Sequence, residues 1–326
     1  MKRREFIALV GGAAVAWPLS GRAQQPKIPR VGWLVIGSPT THRFSLAAFQ
    51  DGLKAAGRIE RQNITIEYGW AEGNLARLPE LANDLVQKKV DVILAGGSIG
   101  AEVAKHATSV IPIVAAGVGD LVELGLVSNL ARPDGNLTGF VANAPEVSAK
   151  RVQIIKEIKP ELRRAAVLWN SASSNAQLEW KPVKELAAAN NIEVVLYDAH
   201  DVDGLRNTLA SISPPIPDVL VVLNDPFMFT YRKIVADVAR KLQLPSAYGF
   251  REFVDDGGLL SYGPSIRDTY RRAASYVDKI LSGTKVADLP IVLPTKFELV
   301  INLTTAKAVE VKIPASLLSL ADELID

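Results

Sequence analysis

The residues best suited to bind a ligand lie in loops that follow predicted β-strands. Hydroxyl, amide, carboxylate and glycine residues dominate these loops. In the first half of the chain the loops are 37–41, 69–72, 96–98 and 117–120, and in the second half they are 170–175, 198–201, 224–226 and 248–251. Ligands of open α/β sheets bind beyond the carboxyl ends of the strands, so we expect a small polar solute to bind among these loops.

The turn Gly96-Gly97-Ser98 precedes a predicted helix over 98–108. Glycines let the backbone approach a ligand closely, and the free N–H groups and positive dipole end of a helix N-terminus favour a carboxylate. This turn therefore predicts a site for a small anion. The alternative is that the glycines only form the turn and Ser98 only caps its own helix. The spacing does not match the G-x-G-x-x-G motif of dinucleotide-binding folds.

Motifs of catalysis or metal binding are missing from the sequence. Its three histidines, His42, His106 and His200, have no second histidine at i+3 or i+4, and neither a G-x-S-x-G elbow nor a P-loop occurs. Asp120, Asp225 and Glu72 are candidates for paired acids. The alternative is that they orient loops and accept hydrogen bonds from a ligand. We therefore expect no enzyme, no metal and no cofactor.

Aromatic residues at predicted strand ends provide a second kind of binding surface. Trp70, Tyr248 and Phe250 can stack on a flat ligand or form hydrogen bonds through a polar edge. Trp33 and Trp169 lie inside predicted strands, where we expect them in the core. Phe227 and Phe229 either shield a site or pack at the start of a helix.

Two series of short β-branched apolar runs alternate with helical stretches, and together they must position these loops. The first predicts strands at 30–36, 63–68, 91–95 and 111–115, with helices at 44–56, 75–88 and 98–108. The second predicts strands at 164–169, 192–197 and 218–223, with helices at 176–190, 202–212 and 229–242. Such βαβ alternation is typical of parallel sheets covered by helices, so the fold class is α/β with two lobes. Residues 131–139 are rich in turn formers and predict a linker.

The first 23 residues predict an export signal. Lys2, Arg3 and Arg4 precede an apolar stretch over 6–17, and Gly21-Arg22-Ala23 offers a cleavage site. The alternative, a membrane anchor, is disfavoured because the apolar run is about half the length that spans a bilayer. Since the chain has no cysteine, a lipid anchor is excluded. Paired arginines resemble a twin-arginine leader, the route of proteins that fold before export and often carry a cofactor; the alternative is the general export route.

The net positive charge of the chain comes from this leader. It holds four of the 37 Lys and Arg residues and one of the 35 Asp and Glu residues, which leaves 33 basic and 34 acidic residues. A nearly neutral mature chain gives no electrostatic reason to bind nucleic acid or an anionic membrane. We expect a periplasmic protein of two domains.

Three long segments resemble a known family. They are GDLVELGLVSNLARPDGNLTGF at 119–140, LPSAYGFREFVDDGGLLSYG at 244–263 and PTKFELVINL at 294–303. These segments are similar to those of the ABC-transporter substrate-binding family that includes tryptophan- and tyrosine-binding members. The resemblance implies a type 1 periplasmic binding protein, an α/β fold of two doubly wound parallel-sheet lobes joined by three crossover segments.

This fold implies that each lobe is built from discontinuous sequence. Lobe 1 would comprise 28–139 plus about 264–290, and lobe 2 would comprise 140–260 plus about 296–326. The crossings are expected at 139–142, at 258–263 and near 289–296. The resemblance also implies binding residues in both lobes. Those of lobe 1 are Ser38, Thr40, Trp70, Gly97, Ser98 and Asp120, and those of lobe 2 are Asn170, Asn175, Asn224, Asp225 and Tyr248.

The function implied is delivery of a small-molecule solute to the permease subunits of an ABC importer by closure of the cleft. We expect an amino acid or a small carboxylate, including aromatic ones, and a monomeric protein. Two alternatives are a secreted α/β enzyme without a recognisable catalytic motif and a ligand-sensing module for a receptor kinase. A sugar-repressor-type regulator shares the fold, but a leader occupies the position of its helix-turn-helix.

Overall fold

Two sheets organise the protein. The computed structural model describes residues 28–142 and 145–326, so the predicted leader lies outside the described residues. Five strands form the first sheet: β1 (Arg30–Val35), β2 (Thr65–Trp70), β3 (Val92–Gly96), β4 (Ile113–Val118) and β5 (Leu137–Val141). All pairs are parallel, in the order β2-β1-β3-β4-β5. β3 and β5 are buried along their whole length, as expected for a sheet covered on both faces.

The second sheet has seven strands. They are β6 (Arg164–Trp169), β7 (Glu193–Asp198), β8 (Val219–Val222), β9 (Ser246–Tyr248), β10 (Leu260–Pro264), β11 (Phe297–Asn302) and β12 (Glu323–Ile325), in the order β12-β11-β10-β9-β8-β6-β7. Strands β6 to β10 are parallel. β11 runs antiparallel to β10, and β12 is parallel to β11.

Helices cover both sheets. In chain order they are α1 (Arg43–Ala55), α2 (Leu78–Gln87), α3 (Gly97–Ala107), α4 (Pro145–Ile158), α5 (Ser174–Ala189), α6 (Val202–Ala210), α7 (Pro226–Thr230), α8 (Arg232–Lys241), α9 (Arg251–Asp255), α10 (Ile266–Leu281), α11 (Leu303–Ala308) and α12 (Ala315–Leu320), with 3-10 turns at Leu75–Arg77 and Val286–Asp288. None of the described helices is long and apolar enough to cross a membrane.

The chain passes between the two sheets three times. It leaves the first sheet after β5, leaves the second after β10, and returns between Val292, which bridges to Phe140, and β11. Helix α10 therefore packs on α1 of the first sheet, so closely that a Cβ on Gly52 would lie 2.4 Å from the carbonyl oxygen of Arg271. We call the first sheet with α1–α3 and α10 lobe 1, and the second sheet with its helices lobe 2.

The sheet of lobe 2 is mainly parallel, as expected for this fold class, with one departure at β11. β10 ends on the side of its sheet that faces lobe 1, and the chain comes back from lobe 1 on that same side. The returning strand β11 must then run away from lobe 1, which makes it antiparallel to β10.

Several helices differ from the sequence-based expectations, and two of the differences have a clear physical reason. The helix expected at 229–242 is two helices, α7 and α8, which meet at Tyr231, where the backbone leaves helical geometry (φ −101°, ψ 16°). Helix α4 was not predicted. Its buried face includes Ser148 and Arg151 among apolar residues, so the sequence lacks a clean apolar stripe there.

Candidate functional site

A cavity of about 50 Å³ lies between the two lobes, at the carboxyl ends of the strands. Lobe 1 provides mainly apolar and glycine residues to its wall, whereas lobe 2 provides polar residues and two phenylalanines. The wall comprises Val35, Ile36, His42, Ser45, Gly96, Gly97, Ala116, Gly117, Val118, Ala142, Ile266 and Tyr270 on one side and Asn175, Asn224, Asp225, Pro226, Phe229 and Phe250 on the other.

Asp225 contributes the only carboxylate among the described residues of this wall. Its Oδ1 accepts hydrogen bonds from the backbone N–H groups of Phe227 (2.8 Å) and Met228 (3.0 Å) and so caps α7. Its Oδ2 is buried and accepts no well-formed hydrogen bond from the described residues. Burial raises the pKa of Asp225, and the two capping N–H groups together with the nearby side chains of Ser173 and Asn170 oppose that shift only in part. A cation that entered the cavity would further stabilise the ionised carboxylate.

The N-terminus of α3 lies across the cavity from Asp225. Its N-cap residue, Gly96, provides no side chain, so the first N–H groups of α3 lack a capping side chain. Gly97 has a positive φ of 71°, and a Cβ there would lie 3.0 Å from Cγ of Pro226 in lobe 2. Glycine at this position thus lets the two lobes approach while a helix N-terminus, which favours anions, remains at the cavity wall.

Rings form much of the remaining wall. Phe229 and Phe250 meet edge to face at 5.8 Å, and Tyr270 stacks at 5.5 Å on Trp33, which is fully buried in lobe 1 as we expected. His42 lies 5.3 Å from the Phe229 ring of the other lobe. Burial, assisted by the charge of Arg232, lowers the pKa of His42 to about 3. His42 is therefore neutral at physiological pH.

Comparison with known proteins identifies the family. A family model described as ABC transporter substrate binding protein matches residues 37–325. The chain belongs to this family. Its members bind small-molecule solutes, work with ABC transporters and are typically extracytoplasmic, and they are not enzymes.

Relatives agree with this assignment. A tyrosine-binding protein of Clostridioides difficile is 27% identical over 264 residues, which are 81% of this chain and 76% of the relative. A conserved domain protein from Vibrio cholerae has a TM-score of 0.84 at 28% identity, covering 91% of this chain and 100% of that chain. An ABC domain in complex with L-Trp from Streptococcus pneumonia has a TM-score of 0.81 at 23% identity, covering 90% and 100%. The two-lobed α/β fold of the type 1 periplasmic binding proteins is thereby confirmed.

Four of the eleven predicted binding residues of this substrate-binding protein lie in the cavity wall. They are Gly97 in lobe 1 and Asn175, Asn224 and Asp225 in lobe 2. All four follow the ends of central strands or begin the helices that come next, as the strand-end rule for parallel sheets predicts.

Five predicted residues of lobe 1 lie outside the wall. Ser38 bonds with Thr41 in a tight turn, and Thr40 is exposed in the same turn. Trp70 stacks on Tyr68 at 5.5 Å. Asp120 accepts hydrogen bonds from the N–H groups of the two residues that begin the next turn. Ser98 contacts Asn175 of lobe 2.

Two predicted residues of lobe 2 also lie outside the wall. Asn170 accepts a hydrogen bond from the backbone of Ala172 (3.1 Å), and its Oδ1 lies 2.8 Å from Nδ1 of His200. Tyr248 is fully buried and stacks on Phe253 at 4.5 Å. Each of these residues uses its polar or aromatic group within its own lobe.

Ser98 instead joins the two lobes. Its hydroxyl accepts a hydrogen bond from the backbone N–H of Gly119 (2.9 Å) and donates one to Oδ1 of Asn175 (3.3 Å). It does not cap α3, because the helix begins one residue earlier, at Gly97. A second link between the lobes is the ion pair of Arg43 and Asp256 at 3.3 Å. The lobes are therefore in contact around the cavity.

Sequence reasoning missed His42, Ser45, Ile266 and Tyr270. His42 is the N-cap residue of α1 and Ser45 lies in its first turn, just beyond the loop 37–41 that follows β1, whereas Ile266 and Tyr270 lie one helical turn apart at the start of α10. The second crossing returns α10 to lobe 1 beside the cavity. Its i, i+4 pair of apolar residues was the available signal.

Proposed function

We propose that this substrate-binding protein is a periplasmic receptor for an L-amino acid with an apolar or aromatic side chain, which it delivers to an ABC permease. The observation that carries the proposal is the buried carboxylate of Asp225, whose Oδ2 accepts no well-formed hydrogen bond from the described residues and which lines the same largely apolar cavity as the uncapped N-terminus of α3. The two ends of an amino acid carry charges that match these two features.

The ammonium group pairs with Asp225 in this proposal. An isolated buried carboxylate is costly, and a cation at hydrogen-bond distance offsets that cost. The carboxylate of the solute accepts hydrogen bonds from the first N–H groups of α3, and the helix dipole adds to them. Neutral sugars would leave both features unpaired. The tyrosine-binding relative and the L-Trp complex support an amino acid as solute.

Selectivity for the side chain follows from the apolar wall. Phe229, Phe250, Ile266 and Tyr270 surround the space beside Asp225. A polar or charged side chain would lose hydration there without gaining hydrogen bonds, so an apolar or aromatic group is favoured.

Closure of the cleft provides the signal to the permease. Contacts such as Ser98 with Asn175 and Arg43 with Asp256 join lobes that are connected by three crossing segments. The solute enters when the lobes separate and, by pairing charges on both of them, shifts the population toward the closed form. The permease then recognises the closed pair of lobes.

Calorimetry with a matched solute panel tests this proposal. The panel contains L-tyrosine, L-tryptophan and L-leucine, the amine tyramine, the deaminated acid 3-(4-hydroxyphenyl)propionate, and glucose and ribose. We expect at least one of the L-amino acids to bind, and its analogue without a carboxylate or without an ammonium to bind about 100-fold more weakly, because an unpaired buried charge costs about 2–5 kcal/mol. Binding of the sugars without binding of the amino acids would overturn the proposal.

Delivery to a permease needs a separate measurement. Cells that lack this protein are expected to lose high-affinity uptake of the labelled solute and to regain it with the intact gene. Unchanged uptake, combined with a changed response of a receptor kinase, would favour the sensing role instead.

A further inference from the structure

A fully buried ion pair lies behind the cavity wall of lobe 2. Nη2 of Arg151, in α4, is 2.8 Å from Oε2 of Glu179, in α5, and the two side chains are 1% and 0% exposed. Neither residue lines the cavity. Glu179 lies in the same helix as the wall residue Asn175, one helical turn further along.

Glu179 holds Asn224 with both carboxylate oxygens. Its Oε2 accepts a hydrogen bond from the backbone N–H of Asn224 (2.9 Å), and its Oε1 accepts one from the side-chain Nδ2 of Asn224 (2.7 Å). Nη1 of Arg151 donates to the carbonyl oxygen of Val222 (3.3 Å) and to Oδ1 of Asn224 (3.4 Å). The amide orientation of Asn224 is thus determined, since its NH₂ faces a carboxylate and its oxygen faces a guanidinium.

The hydrogen bonds that fix Asn224 also restrict the position of the next residue, Asp225. Val222 ends β8 and Asp225 caps α7, so Asn224 lies in the short turn between them. The turn is packed tightly on the next loop, because a Cβ on Gly249 would lie 1.9 Å from Oδ1 of Asn224. The backbone of Asp225 is therefore held in place by Asn224, which is itself fixed by Glu179, Arg151 and the loop at Gly249.

The ion pair also leaves the charge of Asp225 unbalanced. Arg151 and Glu179 cancel each other at 2.8 Å, so together they supply no net charge to the cavity. Replacement of a buried ion pair by apolar residues of similar size is often neutral for stability, so the stability of the fold alone does not account for such a pair.

We propose that Glu179, supported by Arg151, is a positioning residue for solute binding that acts through Asn224 to fix the carboxylate of Asp225 at the cavity wall. This inference rests on the proposed binding of an amino acid. It deepens that function by assigning the preference for an ammonium group to residues outside the cavity.

The double variant Arg151→Met/Glu179→Leu tests this role. It removes both charges together and keeps apolar volume at both positions, so we expect a melting temperature close to that of the wild type. The dissociation constant for the bound L-amino acid is expected to rise about 10- to 100-fold, as for a misplaced charge pair. The constant for the deaminated acid, which lacks the ammonium group, is expected to change less than about threefold.

Two further variants separate positioning from a general effect of lost charge. Arg58→Met/Asp278→Leu removes another ion pair, 2.8 Å long and remote from the cavity, and is expected to leave both dissociation constants unchanged. Arg151→Lys retains a cation beside Glu179 and hence the hold on Asn224, and it is expected to retain most of the wild-type preference for the amino acid.

A second variant covers the case in which the apolar double variant does not fold. Arg151→Gln/Glu179→Gln removes both charges, so that no buried charge is left uncompensated, and keeps hydrogen-bonding side chains at both positions; it is measured well below its own melting temperature. The inference is overturned if the folded variants keep the wild-type preference for amino acid over deaminated acid. If the wild type itself shows no such preference, the proposed function fails and this inference fails with it.

Discussion

The two walls of the cavity recognise a solute by different means. Lobe 1 presents glycines, apolar side chains, a neutral histidine and the N–H groups at the start of α3, whereas lobe 2 presents the amides of Asn175 and Asn224 and the carboxylate of Asp225. Backbone groups are hard to change by substitution, but side-chain charges are easily changed. We infer that lobe 1 provides a constant anion site and shape, and that lobe 2 determines which cationic or polar group is accepted.

The largest expected effect comes from removing the charge of lobe 2. In the variant Asp225→Asn, the dissociation constant for the bound L-amino acid is expected to rise about 100-fold, since the ammonium group loses its buried partner. Asparagine caps helices about as well as aspartate, so α7 is expected to persist. Because burial raises the pKa of Asp225, its ionised form disfavours folding, and the apo variant is expected to melt at the wild-type temperature or above it.

A matched control exists in the same lobe. Asp201 caps α6 by accepting a hydrogen bond from the backbone N–H of Gly204 at 2.8 Å, and it lies outside the cavity wall. Calorimetry of Asp201→Asn is expected to give the wild-type dissociation constant. The contrast between the walls would be refuted by Asp225→Asn binding the amino acid as tightly as the wild type does.

The second largest effect concerns His42, the neutral histidine in the lobe 1 wall. His42 has a pKa of about 3 when buried and about 6.5 when exposed, so below pH 6.5 the unfolded chain binds a proton that the folded chain does not. Folding stability from His42 is therefore complete above pH 6.5 and is lost as the pH falls toward 3. At pH 5 the loss is about 2 kcal/mol, from about 1.5 pKa units at 1.36 kcal/mol each.

Chemical denaturation at pH 7 and pH 5 measures this loss. Glu252 and Asp225 have raised pKa values and contribute with the opposite sign, so the wild type is compared with His42→Gln. The wild type is expected to lose about 2 kcal/mol more than the variant between the two pH values. Equal losses would mean that His42 takes up a proton in the folded protein as readily as in the unfolded chain, so that the lobe 1 wall carries this charge at pH 5.

Sequence patterns predicted the α/β fold class and four residues of the cavity wall. Central parallel strands end at one edge of each sheet, so Gly97, Asn175, Asn224 and Asp225 could be predicted at the cavity. The βαβ alternation predicted most helices within a few residues of their observed bounds. The reversed strand β11 follows from the third crossing, which only the family resemblance indicated.

Whether each of the remaining predicted residues reaches the cavity depends on whether it finds a partner nearby in its own loop, which a sequence does not reveal. Asp120 accepts hydrogen bonds from backbone N–H groups of its own turn, whereas Asp225 caps α7 with one oxygen and also lines the cavity. Tyr248 and Trp70, which we expect to contact a ligand, each stack on another ring of the protein. The choice between a local partner and the cavity depends on distances of a few ångströms between loops.

The smallest expected effect concerns the close approach of the two walls at Gly97. In Gly97→Ala, the added Cβ meets Cγ of Pro226 at 3.0 Å, and the residue must keep a positive φ of 71°. The variant Gly57→Ala separates these two causes, because Gly57 has a φ of 79° with nothing within 4 Å of an added Cβ. Both variants are expected to lose about 1 kcal/mol of folding stability from backbone strain.

Only Gly97→Ala should also weaken solute binding, by about fivefold, since about 1 kcal/mol of contact strain arises when the lobes close. Equal dissociation constants for the two variants in calorimetry would show that the walls do not need this close approach, and that the N-terminus of α3 could accept a carboxylate without closure by lobe 2.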